Sequence, residues 1–126
     1  MRAILDTSVL VSDDPALLPE EAGISVASVA ELHFGLLLAA GREERARRLR
    51  RVGFVEAEFD PIPVDAVIAR AWGELASICV ARGLQPRRRA MDLLIAATAQ
   101  ALDLPLISLD QDLEPLADVV DLRRRP

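Results

Sequence analysis

The chain has 126 residues, 52% hydrophobic and only 3% aromatic, with a formal net charge of −5; that is enough for one domain with an aliphatic core and too little for two. All fifteen basic residues are arginine, and His33 and Cys79 are the only histidine and cysteine. These absences exclude phosphate loops and Schiff bases that need lysine, a paired-histidine ribonuclease mechanism, an intrachain disulfide and a zinc-ribbon ligand set, so carboxylates must carry any chemistry.

In chain order, an apolar strand over residues 2–6 ends at Asp6 and runs into the turn-prone Thr7-Ser8. Pro15 to Glu21 is a polar connection, and Gly23 to Val26 a brief extended piece. Ser28 is the expected N-cap of the next helix, with Glu31 at the capping-box position. Val29, Leu32, His33, Leu36, Leu37 and Ala40 form its apolar stripe, and Gly41 ends it. Residues 42–52 make an arginine-heavy helix with a thin apolar face of Ala46, Leu49 and Val52. Val55 to Ile62 is expected to be extended, closed by Pro61 and Pro63.

Asp65 opens a long helix burying Ile68, Ala71, Trp72, Leu75, Ile78 and Cys79, and Gly83 stops it. A basic loop, Leu84 to Arg89, leads to residues 91–102, which are apolar on almost every side, as a helix buried between layers must be. A strand over Leu104 to Leu109, a short helix or turn over Asp112 to Ala117 and an edge strand over Val119 to Leu122 complete the order. Strands separated by helices predict an α/β fold with a parallel sheet and helices on both faces.

Four acids fall where such a fold gathers its functional groups. Asp6 and Asp110 end strands; Glu31 and Asp92 stand near the heads of helices. In an open parallel sheet these positions share one edge, where ligands bind. Unpaired carboxylates ~4 Å apart repel by about 4 kcal/mol per pair at an effective dielectric of 20. A hard divalent cation removes that repulsion, and oxygen-only ligands suit Mg²⁺ or Mn²⁺. Each acid also has an ordinary use, as a turn residue, a capping partner or a favourable charge at a helix N-terminus. Their joint placement is the less expected event. His33, Trp72, Cys79 and Met91 are expected to pack rather than react, and the Leu36-Leu37-Leu38 cluster exceeds what one helix face buries, leaving surface for a protein interface.

Net charge alone argues against a nucleic-acid partner. The arginines are clustered, however: six lie between Arg42 and Arg51, three are Arg87, Arg88 and Arg89, and three are Arg123 to Arg125. Such clusters flanking an acidic pocket hold phosphates, or else simply solvate the surface. No basic segment leads into a long apolar one at the start of the chain, and no run approaches the ~18 apolar residues of a membrane span. A soluble, cytoplasmic protein is expected.

Four segments resemble the motifs of PIN domains, especially the VapC-type ribonuclease toxins of bacterial toxin–antitoxin pairs: Ala3 to Ser8, Ser25 to Leu32, Arg88 to Ala99 and Leu106 to Leu113. The third is the most specific. The fourth departs from the pattern, with Ser108 where threonine is usual and Leu113 where phenylalanine is usual. The segments occur in family order and treat residues 1–126 as a single PIN domain. The resemblance implies a three-layer sandwich with a central, mostly parallel sheet. It also implies Mg²⁺- or Mn²⁺-dependent cleavage of single-stranded or loop RNA, a homodimer, and inhibition by a small cognate antitoxin. Carried onto this chain, Asp6, Glu31, Asp92 and Asp110 are the catalytic acids. Asp6, Asp92 and Asp110 are metal ligands, Asp112 is a supporting one, and Thr7 and Ser8 hydrogen-bond a ligand or its water. Arg87, Arg88 and Arg89 are candidate RNA contacts. The competing expectations are an aspartate-based phosphatase, disfavoured by Ser8 where a second aspartate belongs and by the missing lysine, and a catalytically idle PIN-like module that binds protein or RNA.

Overall fold

A computed structural model describes residues 1–126. Its centre is a four-stranded, wholly parallel sheet built from β1 (Arg2–Leu5), β2 (Glu21–Gly23), β3 (Leu106–Ile107) and β4 (Leu122–Arg123), in the order β2-β1-β3-β4. The chain leaves β1 for β2 on one side and reaches β3 on the other, so the β1/β3 boundary is the point where the strand order reverses. Crevices form at the carboxyl ends of strands at such points.

Strand alternation divides the core. Ile4 and Leu106 face one layer, whose helices are α4 (Ala66–Ala81) and α5 (Ala90–Ala101). Ala3, Leu5 and Ile107 face the other, formed by α1 (Thr7–Leu10), α2 (Val26–Leu37) and α3 (Arg42–Glu58). The result is the expected sandwich with helices on both faces. In α5, Leu93, Ile95, Ala96, Ala97, Thr98 and Ala99 are all buried, which fixes the direction in which its first turn points. Each large side chain buried there contributes ~1.5–3 kcal/mol. Thr98 is accommodated because its hydroxyl donates to Leu94 O at 2.8 Å. Asp65 caps α4 through Ile68 N, as expected.

Several local expectations are corrected. Thr7-Ser8 is not a bare turn but the start of α1, capped by Asp6, whose side chain accepts from Ser8 N. Ser25, not Ser28, caps α2, and its Oγ accepts from Ala27 N at 3.0 Å. Ser28 is instead buried one turn inside, so Glu31 completes no capping box. Of the apolar stripe expected on α2, only Leu32 is buried, with Val29 and Leu36 partly so. His33, Leu37 and Ala40 are exposed, and His33 pairs with Glu56. The α3 helix runs on to Glu58 instead of ending near Val52, because Val52 and Val55, three apart, both reach the core. Only the end of the expected 55–62 extended stretch is extended, at the Ile62 bridge to Ser25. Strand β3 spans two residues of the expected six, and the last strand lies at Leu122–Arg123, not over Val119 to Leu122. Trp72 is only partly buried, and its indole N–H donates to Ala90 O.

Candidate active site

The site is assembled from chain ends. β1 delivers Asp6 to the C-terminal edge of the sheet, and the loop after β3 delivers Ser108 and Asp110. The first turn of α5 brings Asp92, and α2 reaches across with Glu31. Ligand oxygens of Asp92, Asp110 and Asp112 can all lie within 4.8 Å of one another. Asp6 and Glu31 lie outside that tightest group but close enough that their charges act on Asp92. All five acids therefore meet at one edge.

Asp6 is the most constrained of them, with 2% of its surface exposed. Its Oδ2 accepts from Ser8 Oγ at 2.6 Å, from Ser108 Oγ at 2.9 Å and from Ser8 N at 3.3 Å. Its Oδ1 is buried and has no hydrogen-bond partner. A buried carboxylate oxygen left unpaired is costly. Serine hydroxyls so used have fixed polarity: Ser8 Oγ accepts from Leu109 N at 2.9 Å, and Ser108 Oγ from Asp110 N at 3.0 Å. The two serines thus tie β1 to the loop after β3 while turning both hydroxyl protons onto one oxygen of Asp6. Thr7 serves Glu31 in the same way, donating to its Oε1 at 2.7 Å and lying 3.0 Å from Ser28 Oγ.

The electrostatics follow from this crowding. Burial, then the charges of Asp6, Glu31, Asp110 and Asp112, push the Asp92 carboxyl up to about 6. Glu31 is raised by burial, a shift that the Thr7 hydrogen bond opposes and that Asp6 and Asp110 reinforce. No arginine pairs with either carboxylate. Arg89 donates to the backbone carbonyl of Asp112, and Arg124 to Ser108 O at 2.9 Å and Asp110 O at 3.0 Å, while its other nitrogen meets Glu114. Both arginines therefore brace the loops that carry the acids. Arg87 and Arg88 are exposed on the 3₁₀ turn before α5.

Ser108, Ser28, Arg89 and Arg124 have structural parts that the sequence did not announce. Ser108 registered only as a departure from threonine, and Arg124 is indistinguishable from its neighbours in a terminal basic run. Replacing Ser108 by alanine is expected to cost about 1 kcal/mol of stability, because Ser8 still serves Asp6 Oδ2, and to lower activity by loosening Asp6. Chemical denaturation of the variant would detect the loss; unchanged stability would mean that the hydroxyl contributes nothing to holding Asp6.

A parallel sheet with carboxylates converging at its switch point and no counter-cation among them is the plan of an acid-lined α/β nuclease-like domain, and the chain belongs to the PIN domain family, whose model matches residues 3–119. Its similarity to particular members is substantial. It is 38% identical to Ribonuclease VapC5 of Mycobacterium tuberculosis, over 90% of this chain and 86% of that one. It is 34% identical to Ribonuclease VapC4 of the same organism, over 94% and 93%. Among solved structures, that of VapBC-5 from Mycobacterium tuberculosis, described as a member of the VapBC family of toxin–antitoxin systems, superposes with a TM-score of 0.85. That match has 36% identity and covers 97% of this chain and 95% of the other.

Proposed function

We propose that this protein is a metal-dependent endoribonuclease toxin held in check by a small antitoxin protein. The observation that carries the reading is the meeting of five acids at one sheet edge, among them a buried Asp6 with an oxygen that has no partner. Relatives named as ribonucleases, and a structural neighbour described as part of a toxin–antitoxin system, support it. The residues present fit a divalent cation. The orphan Oδ1 of Asp6 lacks a positive partner, and the oxygen-only donors of Asp6, Asp92, Asp110 and Asp112 suit Mg²⁺ or Mn²⁺. When bound, such a cation neutralises charge building on the scissile phosphate and eases ionisation of water near neutral pH.

The protein's own groups supply the rest. Ser8 and Ser108 hold one Asp6 oxygen, leaving the other without a hydrogen-bond partner and free to serve as a ligand. Asp92, whose carboxyl is pushed up to about 6, would hold the cation in its ionised form. Glu31, oriented by Thr7, would help hold the cation from α2. Arg87, Arg88 and Arg89 steer the RNA backbone toward the acids. The apolar surface at Phe34, Leu37 and Leu38, each about two-thirds exposed, supports protein partners, both the antitoxin and a second copy of the chain. No helix is long and apolar enough to cross a membrane. Incubating the purified protein with a labelled single-stranded RNA pool tests the reading. Cleavage should appear with Mn²⁺ or Mg²⁺ and vanish with chelator; a folded protein that cleaves under neither condition would instead be an idle binding module.

A further inference from the structure

Beside the acidic cluster, between α2 and α3, lies a cavity of about 320 Å³. Thr7 and Glu31 line it together with Glu44, Arg48 and Arg51 of α3. Its volume is at the lower end of small-ligand sites, about 300–1,000 Å³. The two arginines differ from the solvated basic residues elsewhere on the chain. Arg48 is pinned, its Nε donating to Glu44 Oε1 at 2.7 Å and its Nη1 to Gly35 O at 2.6 Å, which leaves Nη2 without a protein partner. Glu44 is shared with Arg47, so one carboxylate answers two guanidinium groups. The side chain of Arg51 is only 21% exposed, yet its one salt-bridge partner, Asp13, is 96% exposed and 3.3 Å away. A largely desolvated guanidinium with so weak a partner has anion-binding capacity to spare. Arg51 also borders the neighbouring cleft of about 670 Å³, which continues along α3 past Arg47 and Arg50. Arginines of α3 therefore line both openings, interleaved with Glu44 in the first and with Asp13, Asp14, Glu20 and Glu58 in the second.

We propose that Arg48 and Arg51 form a subsite for the RNA backbone phosphate adjoining the scissile one, an assignment that rests on the ribonuclease reading. A strand whose scissile phosphate sits at the acids must carry its next phosphate a short step away, and this cavity puts two cations in the same lining as Glu31. Planar guanidinium forks match phosphate oxygens in pairs. Arg48 is held in place beforehand by Glu44 and Gly35, so little side-chain freedom is lost on binding. Asp13 acts as the exposed stand-in anion that the phosphate displaces.

The test uses the Asp92→Asn protein, which keeps the subsite but should not cut, with a short single-stranded RNA in millimolar Mg²⁺ across a salt series. Arg48→Gln and Arg51→Gln should each weaken binding about tenfold and flatten the salt slope by roughly 0.7, with Arg51→Lys retaining part of the affinity. Arg45→Gln, on the solvent side of α3, should change neither. Asp13→Asn, at a fully solvated position where folding is not at stake, should tighten binding about twofold by freeing Arg51. In the cleaving protein, Arg48→Gln and Arg51→Gln should raise KM more than they lower kcat, because the contact is equal in ground and transition states. Parental affinity and slope in the Arg48, Arg51 and Asp13 variants of a protein whose parent cleaves would overturn the subsite alone. Unchanged RNA binding with lost binding of a protein partner would give the pair to an acidic side chain of that partner. A parent that neither cleaves nor binds RNA would remove the ribonuclease reading and the subsite together.

Discussion

Asp92→Asn and Asp6→Asn are each expected to lower RNA cleavage at least a hundredfold, about 2.7 kcal/mol of barrier, while the metal-free fold remains intact. Asp6 is buried, and its Oδ2 is saturated by Ser8 and Ser108. An asparagine keeps that acceptor but turns the orphan oxygen into an amide nitrogen, which repels a cation. Asp92 shares its tight group with Asp110 and Asp112, so the amide there removes a ligand from the most compact part of the cluster. The two substitutions differ in their effect on stability. Asp92 is pushed up to about 6 from an ordinary 3.8, chiefly by burial and then by the neighbouring acids. The folded state therefore holds its proton more tightly than the unfolded one, and the metal-free protein loses stability as pH rises between about 3.8 and about 6. For a half-buried, partly screened carboxylate this amounts to roughly 1 kcal/mol at neutral pH. Asp92→Asn should regain it and flatten the pH dependence, whereas Asp6→Asn should gain little, exchanging one unpaired buried atom for another. Retention of more than about a tenth of the activity, ~1.4 kcal/mol, by either variant would end the ligand assignment of that residue.

Millimolar Mn²⁺ or Mg²⁺ should raise the melting temperature of the protein by roughly ten degrees. Binding to the folded state alone contributes about 2.7 kcal/mol at a hundred times the dissociation constant, and a domain of this size shifts several degrees per kcal/mol. The unfolded chain scatters the five acids and offers no comparable site, so the gain belongs to the fold. The rise should be smaller at pH 5.5 than at pH 7.5, because the Asp92 proton competes with the cation below about 6. Asp92→Asn should abolish most of the shift. Thermal melts at both pH values with and without cation decide the matter. A melting temperature that ignores the cation would exclude a metal centre here; an equal rise at both pH values would mean that Asp92 is not among its ligands.

The amino-acid sequence by itself determined the class of fold and pointed to acids that the fold brings to one edge. Strand-length apolar runs separated by amphipathic helices lead to a parallel sheet, and a segment such as Leu93 to Ala99, apolar on all sides, can be satisfied only between two layers. Asp6, Asp92 and Asp110 were legible because each abuts such a segment, and element ends are what a parallel sheet brings together. Glu31 reaches the same edge although Ser25, not Ser28, caps its helix, because either cap keeps it near the head of α2. The length of α3 was not legible, since Val52 and Val55 stay helical through burial against the sheet rather than through local propensity. Nor were the two-residue strands β3 and β4, whose extent depends on which neighbours remain in register. The tertiary structure alone decided the two-serine hold on Asp6, the bracing of the acid loops by Arg89 and Arg124, and the separation of Arg48 and Arg51 from their solvated neighbours. Each of these depends on contacts between segments remote along the chain, as in Ser108 with Asp6 or Arg51 with Asp13. A hydroxyl or a guanidinium has no periodicity of its own, so its role emerges only when packing brings a distant partner within hydrogen-bonding reach.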